Sequence, residues 1–372
     1  MKRMLVFCLL CFAFSSIQAQ YYDDYSYVDG KALSIPDSVT LSTADIASYI
    51  QTNFKTDGER YRAAYTWITN NIQYNKDSMY YRFWGEDPER KLSSILKTRK
   101  GVCENFASLL TSIAKRCGIT CYMVNGYTKP NGIIDYTGHS WCAVYLDKKW
   151  YLSDPTWDAG NRNGYRYFLS EPNDFLITHM PFDYLWQLNE RPVSNKEFKQ
   201  GFNSGKQIGF FNYSDSAFAF LQSDTLQQME DISRRMKKAG LEKDDLRTWY
   251  AYNEMKIFIV YQEKDMNTFN AAVADLNKAK KQFNDFVQYR NNHFQPAKSD
   301  AAINAIFVSI DSLLNSVANK LTEIGTKIEN YQYDTDGLSL NLGRLQARVK
   351  EQRVFLKKYF ATNVNERVSL LY

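Results

Sequence analysis

Cysteine and long apolar runs are both scarce in this chain of 372 residues, and each shortage excludes a class of protein. The 6 cysteines are too few for a disulfide-stapled scaffold of this length. Beyond the N-terminus no run approaches the roughly 18 apolar residues of a membrane helix, so no transmembrane segment is predicted. The formal net charge of +5 is small and evenly spread, which argues against binding to nucleic acid.

The composition that remains is that of a globular protein, with 44% hydrophobic residues. Residues 1–19 have the pattern of a secretory signal: a charged start, the apolar run Met4–Phe14 and the small residue Ala19. Cys8 and Cys11 lie inside the apolar run and not at its end, which favours a cleaved signal over a lipid anchor. We therefore expect a secreted or periplasmic protein.

Residues 20–40 are rich in tyrosine, acidic and without period, which indicates an N-terminal linker. Residues 41–204 mix helix and strand signals. Apolar residues at helical steps predict helices over Asp57–Ile72 and from Cys103 onward, and an antiparallel meander follows. This order is typical of an α+β domain. The strand signals of the meander cover residues 119–127, 140–146 and 149–154.

From residue 205 the strand signals vanish, and only one proline, Pro296, remains. Four or five helices fit residues 205–372, the clearest from Ser299 to Tyr331, where apolar residues recur every three or four positions. This stripe predicts an all-α helical-bundle domain. The pattern is that of a packed core, and an interaction with a protein partner is one interpretation of this half.

Cys103 has the sequence context of a reactive thiol. A cysteine nucleophile works as the thiolate and needs a base nearby. Cys103 stands at the predicted start of a helix, where unpaired amides and the helix dipole favour negative charge. Gly101, two residues earlier, permits a tight entry to the helix and keeps the sulfur approachable.

His139 is the best placed of the 3 histidines to act as that base. It lies 36 residues after Cys103, at the mouth of a predicted strand, and Asp154 ends the next strand 15 residues later. A hairpin between these strands would set His139 and Asp154 across from each other. That is the geometry of an imidazole–carboxylate contact in a catalytic triad.

The other histidines and cysteines have structural interpretations. His179 is interpreted as a loop histidine, because no carboxylate accompanies it at useful spacing, and the third histidine lies in the helical half. Cys117, Cys121 and Cys142 are expected to be core thiols, with one disulfide possible among them. Cys117 and Cys121 could be half of a zinc site, but no second pair completes it, so neither metal nor cofactor is predicted.

Segments around these residues, in this order, resemble the transglutaminase-like superfamily. The tail from Tyr167 to Leu188 resembles the branch that includes the animal kyphoscoliosis peptidase, and the resemblance extends over roughly residues 58–198. Residues 205–372 carry no such resemblance. The matching segments are Gly101–Glu104, Gly118–Cys121, Gly126–Lys129, His139–Trp141 and Trp150–Trp157.

The resemblance implies a papain-like core, with a nucleophile helix packed on an antiparallel sheet. It maps nucleophile, base and acid onto Cys103, His139 and Asp154. Two groups are candidates for the hydrogen-bond donor to the oxyanion: the side chain of Trp84 and the backbone amide of Cys103. The cleft is expected to include four further residues: Trp84, Gly101, Trp141 and Trp157.

The implied activity is that of an exported cysteine-dependent amide hydrolase working through an acyl-thioester. Its substrate would be a peptide or protein, with cell-wall peptide as one possibility. An amine acceptor would make the same triad a protein cross-linking transglutaminase. A third interpretation is a non-catalytic module that kept the fold for binding or scaffolding.

Overall fold

The computed structural model describes residues 25–78, 87–160, 165–201, 208–241, 244–324 and 333–371. The predicted signal, residues 1–19, and the cleft candidate Trp84 lie outside the described residues. The first part of the chain contains five α-helices and two short strands. The strands β1 (Gln73–Tyr74) and β2 (Lys100–Gly101) pair with each other in parallel. The helices are α1 (Ser26–Leu33), α2 (Thr43–Asn53), α3 (Asp57–Asn71), α4 (Pro88–Thr98) and α5 (Cys103–Arg116).

Part of the predicted linker is in fact the helix α1. Its Val28 and Ala32 are buried, and its Asp29 accepts two hydrogen bonds of 2.7 Å from the guanidinium of Arg62 on α3. Arg62 also stacks on the ring of Tyr25, 5.0 Å away. Tertiary contacts of this kind leave no period in a short segment, so the linker interpretation of residues 26–33 was wrong.

A proline lies at the start of α4. Pro88 occupies the first turn of the helix, where its missing N–H costs nothing, and Asp87 caps the helix through the backbone N–H of Arg90.

A four-stranded antiparallel sheet follows, in the order β5-β4-β3-β6. Its first three strands confirm the predicted meander, whereas the short β6 was not predicted. Gly126 makes room for β6, because a Cβ there would lie 2.1 Å from the carbonyl oxygen of Met180. The strands are β3 (Cys121–Thr128), β4 (Asp135–Leu146), β5 (Lys149–Ser153) and β6 (His179–Pro181).

Helix α5 packs against this sheet, and the main core lies between them and α2 and α3. Phe106 and Leu110 of α5 are fully buried there, as are Cys142 and Val144 of β4. A capping box of Thr56 and Glu59 starts α3 beside this layer. The predicted arrangement of a nucleophile helix on an antiparallel sheet is therefore confirmed.

The rest of the described chain is helical. It forms α6 (Pro172–Phe175), α7 (Asn195–Gln200), α8 (Tyr213–Gln222), α9 (Thr225–Ala239), α10 (Asp244–Asn291), α11 (Asp300–Glu323) and α12 (Thr335–Ala361). Short 3-10 segments cover Asp37–Val39, Lys76–Ser78, Pro130–Gly132, Tyr184–Gln187 and Val364–Leu370.

Two compact units divide the chain. One contains the described residues up to Ser223 together with Arg234–Arg247, and the other contains Asp224–Ser233 and the described residues from Thr248 onward. The first unit thus extends past the predicted boundary at 204/205. One reason is α8, whose buried Phe220 packs edge-on against the ring of Trp186, 5.6 Å away.

The second unit has an apolar core between α10, α11 and α12. Buried side chains of this core include Phe283, Phe307, Leu314, Val317 and Leu345. By length and composition alone α11 could cross a membrane. The same helix buries Ile303, Phe307 and Ile310 in this core, which is the pattern of a packed helix in a bundle.

Candidate active site

Cys103 is the first residue of α5, at the N-terminal end of that helix. The side chain of Asn105 accepts a hydrogen bond of 2.8 Å from the backbone N–H of Val102 and so closes the start of the helix. A Cβ at Gly101 would lie 2.8 Å from the Cβ of Asn105, so a glycine is needed there. The Cys103 residue is 9% exposed, and its sulfur lies 3.9 Å from the carbonyl oxygen of Gly138.

His139 and Asp154 meet at the open end of the β4–β5 hairpin. His139 lies on β4 and Asp154 follows β5 directly; the last pair in register is Cys142 with Ser153, so the two side chains meet diagonally and not directly across the strands. The Nε2 atom of His139 is 2.7 Å from Oδ2 of Asp154. The side chain of Cys103 is the next group that raises the pKa of this imidazole, so the thiol lies on its other side. Because Nε2 faces the carboxylate, Nδ1 is the nitrogen left for the thiol.

The electrostatics of this contact favour an imidazolium. Burial alone would lower the pKa of His139, but the charge and hydrogen bond of Asp154, followed by the hydrogen bond to Cys103, raise that pKa to about 10. A protonated imidazole beside a cysteine is the pairing that cysteine nucleophiles use.

Asp154 stays ionised although it is fully buried. Burial works against the charge, but His139 and then His179 hold the pKa of this carboxyl well below its usual range. The carboxylate accepts four hydrogen bonds. Two reach Oδ1 from the backbone N–H groups of Thr156 and Trp157, at 2.8 and 3.2 Å, and two reach Oδ2 from His139 and His179.

His179 belongs to this site, contrary to the interpretation as a loop histidine. Its Nε2 atom lies 3.1 Å from Oδ2 of Asp154, and its side chain is wholly buried. Burial lowers the pKa of His179 to about 4 even though Asp154 opposes that shift, so the ring is neutral at pH 7. The carboxylate partner comes from 25 residues away through the pairing of β6 with β3, which sequence spacing did not reveal.

The loop after β5 is held by a second buried carboxylate. The hydroxyl of Tyr65 lies 2.7 Å from Oδ2 of Asp158 and 2.8 Å from the carbonyl oxygen of Asp154. Asp158 also accepts the backbone N–H groups of Arg166 and Tyr167. Burial raises the pKa of Asp158. These contacts fix the backbone that carries Asp154, and no pattern in the sequence indicated them.

An open cleft of about 390 Å³ lies over His139. The expected cleft residue Trp157 lines it, half-buried. Trp141 is instead 1% exposed and packs below the surface against the ring of His179, 5.2 Å away. Gly101 is buried at the start of α5, outside the cleft lining. The walls also include Tyr74, Pro130, Asp135, Thr137 and Thr156.

The four described cysteines are free thiols, so the optional disulfide among Cys117, Cys121 and Cys142 does not form. Cys142 points toward α5, where its sulfur lies 3.4 Å from the carbonyl oxygen of Ala107, on the face opposite to His139. Burial raises the pKa of Cys117 to about 11, which leaves that thiol unreactive at neutral pH.

His139, Asp154 and His179 place their ligand-type atoms within 4.8 Å of one another, as metal ligands can. Here both imidazole Nε2 atoms approach the same carboxylate oxygen at 2.7 and 3.1 Å. A shared carboxylate oxygen at these distances is the pattern of two N–H donors on one acceptor. The geometry therefore describes a hydrogen-bonded cluster.

Comparison with known proteins fits this geometry. Residues 44–155 match the family model of the transglutaminase-like superfamily. These residues form a transglutaminase-like domain. The human kyphoscoliosis peptidase is 31% identical over 176 residues, which cover 42% of this chain and 25% of that protein. Hillarin of Drosophila melanogaster is 24% identical over 212 residues, covering 48% of this chain and 25% of that protein.

The chain thus spans about a quarter of the length of the curated relatives it matches. A solved structure described as a TGase shows 18% identity and covers 42% of this chain and 43% of that one. Its TM-score of 0.26 is too low to bear on the fold. The resemblance to the branch of the kyphoscoliosis peptidase is supported by the relatives in human and mouse.

Proposed function

We propose that this chain is an exported cysteine-dependent amide hydrolase. The observation that carries the proposal is the placement of His139 between the thiol of Cys103 and the carboxylate of Asp154, at the helix start and beside an open cleft. Similarity to proteins named peptidase supports hydrolysis as the outcome. Export rests on the sequence pattern of residues 1–19.

Each residue has one task in the proposed reaction. The Cys103 thiolate attacks the carbonyl carbon of the amide, and the C–N bond breaks as the His139 imidazolium gives its proton to the leaving amine. Neutral His139 then takes a proton from the water that attacks the acyl-thioester, and the C–S bond breaks to release the acid product and the Cys103 thiolate beside the imidazolium. Asp154 keeps the imidazole in orientation and stabilises its charged form.

The tetrahedral intermediate needs donors for its oxyanion. The backbone N–H of Cys103, at the N-terminus of α5, is the donor proposed here, because helix N-termini present unpaired N–H groups and a favourable dipole. Trp84, the other sequence candidate, lies outside the described residues.

The substrate is proposed to be a peptide or protein, because the cleft is open and lined by side chains suited to an extended chain. The rings of Tyr74 and Trp157 offer apolar contact, and the carboxylate of Asp135 lies exposed among the lining residues. Cell-wall peptide is one such substrate. The helical second unit is proposed to bind a protein partner.

Hydrolysis of a peptide library by the wild-type protein tests the proposal, with incorporation of a labelled amine scored in the same reaction. Cys103→Ala removes the nucleophile and should abolish turnover. Cys117→Ala is the matched control, since it removes another buried thiol of the same unit and should leave turnover unchanged. Equal product from wild type and Cys103→Ala would refute the thiol mechanism.

The same assay separates the rival functions. Labelled amine in the product would make the protein a cross-linking enzyme with the same triad. A complete lack of turnover in the wild type, with a peptide still bound, would favour the non-catalytic binding module.

A further inference from the structure

Two imidazole rings share one oxygen of a buried carboxylate. Nε2 of His139 and Nε2 of His179 lie 2.7 and 3.1 Å from Oδ2 of Asp154, and the side chains of Asp154 and His179 are both fully buried. The triad chemistry uses only the first of these contacts. The second histidine has no task in that reaction, although it touches the acid as directly as His139 does.

The protons in this cluster can be assigned from the acceptors. An ionised carboxylate only accepts hydrogen bonds, so the Nε2 atom of His179 must carry a proton. In a neutral ring Nδ1 is then an acceptor, and the hydroxyl of Thr178, 2.8 Å away, donates to it. The carboxylate of Asp154 thereby selects the tautomer of His179, since the hydroxyl of Thr178 can donate or accept and fits either one.

The surroundings of His179 hold the ring in place without giving it a charge. Phe175 stacks on the ring at 4.0 Å between centroids, and Trp157 lies over it at 4.4 Å. A neutral donor adds a hydrogen bond to Asp154 and leaves the negative charge of that carboxylate to His139. Ionisable groups also face the cluster from α3, from α5, from β4 and from the loop after β5: Tyr65, Cys103, His139, Asp158 and Tyr167.

We propose that His179 is a positioning residue of this site, whose Nε2–H holds the Asp154 carboxylate in the orientation that receives His139. The inference rests on the proposed thiol chemistry at the same site. Without this donor, Asp154 keeps three hydrogen bonds, and Oδ2 is free to turn away from the imidazole. A purely structural histidine would only fill space between Phe175 and Trp157.

Two substitutions separate the donor from the ring. His179→Phe keeps an aromatic ring between Phe175 and Trp157 but removes the N–H. His179→Gln loses the ring but brings an amide N–H to a place close to that of Nε2. Phe175→Leu is the matched control, because it disturbs the packing around His179 and leaves the hydrogen bond to Asp154 in place.

The readout is the rate at which iodoacetamide alkylates Cys103, followed by peptide mass spectrometry from pH 4 to pH 10. Once Oδ2 can turn away, the His139 imidazolium loses part of its counter-charge and holds negative charge on the Cys103 sulfur less well. The acid side of the alkylation profile should therefore move to higher pH in His179→Phe, by about 1 unit. His179→Gln should restore most of the wild-type profile, and Phe175→Leu should leave its position unchanged.

Several outcomes would overturn the inference. It is contradicted if the acid side of the alkylation profile of His179→Phe coincides with that of the wild type. It is also contradicted if Phe175→Leu shifts the profile equally, because packing alone would then explain the effect. Wild-type Cys103 that resists alkylation throughout would contradict both the inference and the proposed function. If the alkylation profile shifts as predicted but no peptide is hydrolysed, the proposed hydrolase function is contradicted and the positioning role of His179 is still supported.

A second measurement does not depend on the reactivity of the thiol. Long-range ¹H–¹⁵N correlation spectra report which ring nitrogen of a histidine is protonated. His179 should show the neutral ring with the proton on Nε2 at pH 7. A proton on Nδ1 alone, or a charged ring at that pH, would contradict the donation to Asp154.

Discussion

The two compact units of this chain bury different kinds of groups. In the first, charged and polar side chains converge in the interior: Asp154, Asp158 and His179 are each at most 1% exposed. In the described part of the second unit, Ser233 is the one buried polar side chain, and the core is built from Phe, Leu, Ile and Val. Burying charge costs free energy unless every partner is in place.

This difference indicates where function lies. A bundle core needs apolar side chains at the right spacing, and stability explains it fully. The first unit maintains a network around Asp154 whose partners come from α3, β4, β6 and the loop after β5, an arrangement that stability alone does not require. Perturbed ionisable groups beside a cleft are typical of active sites.

The largest expected effect sharpens this contrast through two aspartates. Asp154→Asn should lower kcat/KM of peptide hydrolysis by about three to four orders of magnitude, because His139 loses the carboxylate that stabilises its imidazolium. Asp275→Asn in the second unit breaks an ion pair with Lys320 at 2.5 Å. That control should leave kcat/KM unchanged. A comparable loss of kcat/KM in Asp275→Asn would contradict the assignment of the activity to the first unit alone.

The next prediction compares the two cores. Phe106→Ala in α5 and Phe307→Ala in α11 each remove a fully buried ring and should each cost about 3–5 kcal/mol of unfolding free energy. Only Phe106→Ala should slow the alkylation of Cys103, since Phe106 lies three residues along the same helix. Denaturant unfolding and iodoacetamide kinetics on both variants provide the test. Slow alkylation in Phe307→Ala would show that the site depends on the bundle.

A smaller effect is expected at α1. Asp29→Asn removes the carboxylate that accepts two hydrogen bonds from Arg62 and one from Thr66, and should lower the unfolding free energy of the first unit by about 1–3 kcal/mol. Asp37→Asn is the control, because Asp37 is 99% exposed and only 3.6 Å from Arg99; it should have no measurable effect. Equal unfolding free energies of the two variants would indicate that residues 26–33 act as a linker after all.

The approach of His139 to Asp154 was open to prediction because both residues lie at the open end of one hairpin. A cysteine at a helix start is also visible in the sequence, whereas the catalytic role of the three residues stays a prediction. The three strands of the meander carried strand-type composition and turn signals. Strands β3 and β5 lie within two residues of the predicted bounds, whereas β4 begins at Asp135, five residues before its predicted start.

What sequence reasoning missed depends on tertiary contacts. Strand β6 has three residues, too few to show a period, and its pairing with β3 alone brings His179 to Asp154. Trp141 shares a strand face with His139, which suggested a cleft position, but β6 and α6 cover it. Helix α1 is held by the aromatic and acidic partners of Arg62, and no pattern within residues 26–33 announces them.

Selective labelling of Cys103 tests the central claim most directly. In the folded wild-type protein, iodoacetamide at pH 7 should label Cys103 far faster than Cys117, Cys121 or Cys142, and His139→Gln should slow that labelling without unfolding the protein. Labelling of Cys103 at the rate of the buried thiols, or a rate in His139→Gln equal to that of the wild type, would contradict the thiolate–imidazolium pair on which the account rests.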